Sequence, residues 1–186
     1  LSGTLCAPDR ADSFPVVLML HGSGPQDRDE NMPGQTLDIF NTIAHHLAKH
    51  GVGSLRYDKR GCGKSTGVYR TAGQTELVSD AIAWVDRLAS EPVCERLFLL
   101  GHSEGCLIAP RVSLERTQLA GLILLCPTLM PLETVLMRQA EQIATELAAM
   151  RGWKGRLLRS YMTLRGGVVE SQRKLIARLK SSTSPT

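Results

Sequence analysis

No apolar run in these 186 residues approaches the ~20 that a helix needs to cross a bilayer, so no membrane span is expected. The five cysteines, Cys6, Cys62, Cys94, Cys106 and Cys126, form no C-x-x-C pair and no Cys/His metal spacing. That removes the usual zinc and dithiol-redox signatures, and no metal is expected. The cysteine count is odd, and Cys106 and Cys126 lie in apolar runs, so reduced structural thiols in a cytoplasmic protein fit better than a disulfide framework. Aromatic residues make up only 4% of the chain, and they do not interleave with a basic run of the kind that binds nucleic acid. There is no internal repeat, low-complexity tract or signal-peptide pattern. The chain starts at Leu1 rather than methionine, so a removed leader stays open. Histidine does not occur after His102, nor aspartate after Asp86.

What is present suits a globular domain, 42% hydrophobic and 22% charged, long enough to bury a real core. The net charge of +4 is uneven: residues 128–186 carry 10 Lys and Arg against 4 Asp and Glu, the rest 12 against 14. Without aromatic or polybasic clustering, the basic third reads as a solvated helical face.

Short apolar runs alternate with amphipathic stretches. Residues 14–20 (FPVVLML), 52–57, 96–100 and 119–125 (LAGLILL) read as buried strands. Residues 36–50, 75–89 and 104–114 carry apolar side chains at helical spacing, with Gly51 as a stop signal for the first. This alternation predicts an α/β fold, a doubly wound, mostly parallel sheet with helices on both faces. Residues 1–6 are strand-like and are expected as an antiparallel edge. After Cys126-Pro127 the pattern is helical only, over 132–150, 154–164 and 168–179, broken at Gly152 and Gly166-Gly167. Two parts are therefore expected: a core over 1–127, and a helical segment with a polar tail over 128–186.

One pentapeptide carries chemistry. Gly101-His102-Ser103-Glu104-Gly105 follows an apolar strand and opens a helix. A serine hydroxyl becomes a useful nucleophile when the fold projects it and a base takes its proton. A sharp strand-to-helix turn does the projecting, and small residues two before and two after the serine let the backbone close. The helix start also aims free N–H groups at the site. Two further loops leave strand ends: His21-Gly22-Ser23-Gly24-Pro25-Gln26-Asp27-Arg28-Asp29 and Arg56-Tyr57-Asp58-Lys59-Arg60-Gly61-Cys62-Gly63-Lys64-Ser65. Backbone N–H groups in the first can face a developing oxyanion, with the Glu104 N–H as the second donor.

HGSGPQDRDEN, RYDKRGCGKS and GHSEG, in this order and spacing, resemble the α/β-hydrolase superfamily and most closely its bacterial serine-esterase, dienelactone-hydrolase-like branch. The resemblance covers about residues 1–127, and the helical remainder resembles the lid such enzymes insert after their sixth strand. It implies Ser103 as the acyl-accepting nucleophile and the backbone N–H groups of Ser23 and Glu104 as the oxyanion hole. The implied substrate is a small carboxylic ester or thioester, with no cofactor. It also implies that the Asp58-Lys59-Arg60-Gly61 loop is a structural corner, with Asp58 and Arg60 in buried ion-pair roles.

One departure matters. The superfamily order is Ser, acid, His, yet His21, His45, His46, His50 and His102 all precede Ser103. The expectation is a truncated α/β-hydrolase: a serine hydrolase lacking its triad acid and histidine, inactive alone, with His21 the more plausible stand-in base because its loop borders the cleft. A sheet cut short at residues 119–125 is expected to self-associate through its exposed edge. The alternatives are a non-catalytic α/β-hydrolase-like binding protein or a poorly folding remnant. Weaker signals are set aside. Gly61 to Thr66 looks like the end of a P-loop, but Asp58 stands where that motif needs glycine. His46 and His50 sit four apart on a helix without a third ligand. Met130, Met137, Met150 and Met162 read as the greasy underside of a lid.

Overall fold

In the computed structural model, which describes residues 1–9, 12–164 and 166–182, one sheet holds Gly3–Cys6 (β1), Phe14–Leu20 (β2), Gly53–Tyr57 (β3), Cys94–His102 (β4) and Leu119–Leu125 (β5). Its order is β1-β3-β2-β4-β5. β2, β3, β4 and β5 run parallel, and β1 pairs antiparallel to β3, from Gly3 opposite Tyr57 to Cys6 opposite Ser54. The α/β expectation, a mostly parallel sheet with an antiparallel first strand, describes this sheet.

The apolar run of β2 has a direct cause. Val16, Leu18 and Leu20 enter one core cluster with Leu97, Leu99, Val85 and Val112, while Val17 and Met19 enter a second with Phe40, Ala44 and Leu100. Successive side chains alternate between faces, so a strand covered on both sides needs an apolar residue at every position. Helix Ile39–Lys49 (α1) supplies Phe40 and Ala44 to one face; helices Gln74–Ala89 (α2) and Gly105–Glu115 (α3) cover the other. α1 starts three residues later than its periodicity suggests. Asp38 is left-handed at φ 55°, and Asn31 Oδ1 accepts the N–H groups of Leu37 (2.7 Å) and Asp38 (3.0 Å). That side chain holds the approach to the helix in a loop.

The chain divides into two compact units, Leu1–Pro127 and Thr128–Thr186. The second holds Leu132–Ala149 (α4), Gly152–Leu164 (α5) and Val168–Ser182 (α6), with a left-handed break at Gly152 and two more at Gly166 and Gly167. The end of the polar tail, 183–186, lies outside the described residues.

Because β3 and β4 flank β2, the chain reverses its direction of travel across the sheet between them. In open α/β sheets that reversal is where ligand crevices form, beyond the carboxyl ends of the strands. The loops after β2, β3 and β4, the three that carry the sequence motifs, all leave from these ends.

Candidate active site

Ser103 occupies the turn between β4 and α3 with φ 50°, left-handed for a residue with a side chain, and it is exposed. Such a conformation costs on the order of 1–3 kcal/mol and persists only where neighbours impose it. The neighbours here are visible. A Cβ on Gly101 would sit 2.4 Å from the Gly105 carbonyl oxygen, and one on Gly105 would sit 2.2 Å from the Leu20 carbonyl oxygen. Both glycines of the pentapeptide are therefore required, one so that the turn closes and one so that α3 can lie against β2.

Gly22 brings the first loop to this turn. A Cβ there would be 3.5 Å from Ser103 Cβ and 3.3 Å from His102 Nδ1. Most N–H groups around Ser103 are already committed. The Gly22 N–H donates to Glu30 Oε1 (2.8 Å) and the Gly24 N–H to Tyr69 Oη (3.1 Å). The Ser103 N–H donates to the Leu125 carbonyl (3.0 Å) and the Cys106 N–H to the Ser103 carbonyl (3.0 Å). Among the described residues no acceptor faces the N–H of Ser23 or of Glu104. The exposed Ser103 thus adjoins Glu104 and comes close to the Gly22–Ser23 loop, and the N–H groups of Glu104 and Ser23 are left unengaged among the described residues.

No imidazole among the described residues is hydrogen-bonded to Ser103 Oγ. His21, the stand-in base favoured by sequence, is unsuited to that role. It is buried between Phe40 (5.3 Å between ring centroids) and Tyr57 (4.9 Å). Burial first, and then the charge of Lys59, push its pKa down to about 3. His102 lies with Nδ1 2.9 Å from the carboxylate of Glu30. His46, on α1, and His50, just past its end, are both exposed, with tilted rings whose centroids lie 4.4 Å apart and His50 Nδ1 against the His46 carbonyl. No cluster of metal-ligating side chains occurs among the described residues.

The loop after β3 does more than turn a corner. Asp58 and Arg60 do make ion pairs, though with separate partners: Asp58 with Arg28 (2.7 Å) and Arg60 with Asp80 (2.6 Å). Burial opposes the charge on Asp58, but hydrogen bonds from the Arg28 guanidinium and from the Lys64 and Arg28 N–H groups outweigh it, and its pKa falls below the usual carboxylate range. Gly63, at φ 49°, makes room for that carboxylate; a Cβ there would be 2.5 Å from it. In the P-loop-like stretch Gly63 thus packs against a carboxylate, the opposite of a phosphate cradle. Between Asp58 and Arg60, Lys59 is buried, and its Nζ donates to the Gly22 carbonyl (2.6 Å) and to Glu104 Oε2 (3.1 Å). Sequence reasoning passed over both Lys59 and Glu30. The available signal was four charged residues in a row, Asp27 to Glu30, in a loop directly after a buried strand.

Comparison with known proteins gives the family. The family described as serine aminopeptidase, S33, matches residues 33–181, a span that contains Ser103 and Lys59 but not the Gly22–Ser23 loop. The chain is 32% identical over 143 residues, 77% of its length, to "Esterase EstD" of Thermotoga maritima, and spans 34% of that relative. The fold is similar to Est1E of Butyrivibrio proteoclasticus with ferulic acid bound (TM-score 0.56, 23% identity, 65% of this chain and 46% of that one). It is also similar to the α/β hydrolase GrgF of Penicillium sp. sh18 (TM-score 0.56, 18% identity, 99% of this chain and 63% of that one). The parallel sheet, the left-handed serine at its carboxyl edge and these matches place the chain in the serine aminopeptidase S33 family of the α/β-hydrolase superfamily.

Proposed function

We propose that this chain carries the nucleophile elbow and oxyanion hole of a serine hydrolase acting on small carboxylic esters or thioesters. Ser103 Oγ attacks the acyl carbonyl carbon as its proton passes to a base. The carbonyl oxygen becomes an oxyanion held by the Ser23 and Glu104 N–H groups. Collapse expels the alcohol or thiol, which takes up the proton, and water then releases the acid from Ser103 by the same route. The observation that carries this reading is the exposed, left-handed Ser103 beside two N–H groups without acceptors, in a stretch where neighbouring donors are committed.

The catalytic imidazole and its carboxylate are not assigned to any of these 186 residues. On this reading the isolated chain shows negligible turnover. The lid role expected for 128–186 and association through β5 belong to the same proposal. That a relative bears the printed name esterase supports an ester over an amide as substrate.

The test is hydrolysis of short-chain aryl esters by the product of the gene's complete reading frame, by its Ser103→Ala variant and by the 186-residue chain. Losing the nucleophile is expected to lower kcat by roughly 10⁴–10⁶. A Ser103→Ala variant that retains activity would sink the assignment. A complete, folded product without turnover would instead favour the binding-protein reading.

A further inference from the structure

One buried charge, Lys59, holds Glu104 and the peptide that carries the Ser23 N–H, a second, Glu30, holds their neighbours Gly22 and His102, and the geometry points to Lys59 and Glu30 as positioning residues that set the loop after β2 and the Ser103 turn in register. This inference rests on the reading of Ser103 as nucleophile. Glu30 Oε1 faces both the Gly22 N–H (2.8 Å) and His102 Nδ1 (2.9 Å). Lys59 Nζ donates to both the Gly22 carbonyl (2.6 Å) and Glu104 Oε2 (3.1 Å). The residue before Ser103 and the residue after it are thus each tied to Gly22, one through an anion and one through a cation.

The carbonyl that Lys59 grips belongs to the peptide unit that carries the Ser23 N–H. In a trans peptide these groups point in opposite directions from one rigid plane, and no cis bond occurs among the described residues. Fixing the oxygen therefore aims the N–H. The cation also polarises that peptide, which strengthens its N–H as a donor. Through the Glu104 carboxylate the same ammonium holds the residue whose N–H is the other donor. Tyr69 completes the frame: its ring lies 5.7 Å from Lys59 Nζ, and its hydroxyl accepts the Gly24 N–H on the far side of Ser23. Glu30 is fully buried and left-handed at φ 64°, so the loop holds a strained backbone where this carboxylate is presented.

A merely structural Lys59 would support folding and nothing else, so the test must read the donors themselves. In the complete protein, Lys59→Met is expected to lower kcat for aryl ester hydrolysis about 10²-fold with KM within about twofold, the pattern of a transition-state donor moved out of place. Glu104→Gln keeps an acceptor for Lys59 and is expected to lose only about tenfold in kcat, a weaker, uncharged contact. Independently of turnover, in ¹⁵N-labelled protein the Ser23 and Glu104 amide resonances should both move or broaden in Lys59→Met, while those of the distant α3 residue Ser113 stay. Folded Lys59→Met with wild-type kcat, a loss confined to KM, or unmoved Ser23 and Glu104 amides would overturn the proposal. If Lys59→Met does not fold, Glu104→Gln decides by the same split of kcat against KM and by the Ser23 amide. A wild-type protein without Ser103-dependent turnover would refute the nucleophile reading, and the amide resonances alone would then decide the brace.

Discussion

At Ser103 and His21 the fold treats two adjacent-sounding pieces of a hydrolase signature in opposite ways. Ser103 is pushed outward into solvent by a strained turn, whereas His21 is drawn inward between Phe40 and Tyr57. The buried imidazole is neutral, with a folded-state pKa of about 3 against 6.5 for a free histidine. The sign of the resulting pH dependence follows from linkage. Between these values the unfolded chain binds a proton that the folded chain refuses, so acidification through this window destabilises the fold. Burial of this one group should make the protein about 2 kcal/mol less stable at pH 5 than at pH 7. His21→Phe keeps the ring and removes the titration, so its loss of stability over the same interval should be smaller by that amount. Urea unfolding midpoints of both proteins at the two pH values measure the difference; equal slopes would mean that His21 is protonated in the folded state or solvated there.

At the scale of elements, the glycines of the Ser103 turn set how closely β2, β4 and α3 approach. Gly105→Ala would place a methyl carbon 2.2 Å from the Leu20 carbonyl oxygen, a backbone atom that cannot swing aside, and should destabilise by at least about 2–3 kcal/mol. Gly121→Ala, in β5, is the contrast. Its Cβ would meet the Phe98 ring at 3.4 Å, ordinary contact, so it should be neutral or stabilising by up to about 1 kcal/mol. Thermal unfolding of both variants tests this pair; a harmless Gly105→Ala would mean that α3 can slide off β2. These elements were legible because each is written in one local pattern. FPVVLML is apolar throughout since both faces of β2 are covered, and α2 shows its stripe at Leu77, Val78, Val85 and Leu88. The Ser103 turn was legible for the same reason, its two glycines and serine being three residues of one five-residue motif. What was hidden is non-local. Glu30, Lys59 and Gly22 meet across separations of 8 and 37 residues, and nothing in the spacing of charges says which pair will close. The start of α1 was misjudged because a side chain, Asn31, overrides the apolar period by capturing two backbone N–H groups.

For the molecule as a whole, the outermost parallel strand is the exposed feature. β5 pairs with β4 on one side, and among the described residues no strand pairs with its other side. Leu122, Ile123 and Leu124 are 37%, 39% and 38% exposed. Their register opposite Leu99, Leu100 and Gly101 sets Leu122 and Leu124 on one face and Ile123 on the other. Parallel strands are ordinarily buried on both faces, and an apolar edge with free N–H and C=O groups is a template for pairing with another chain. The 186-residue chain should accordingly self-associate as its concentration rises. Ile123→Lys, which sets a charge on this half-exposed edge strand without touching Ser103, should shift that association to higher concentration or abolish it. Sedimentation of both proteins over a hundredfold range of concentration provides the measurement. A wild-type chain that stays monomeric at the highest concentration and melts cooperatively would show that the edge is protected, and the proposal that β5 recruits a partner strand would then be withdrawn. Association that is equally strong in Ile123→Lys would move the contact elsewhere, to a surface other than β5.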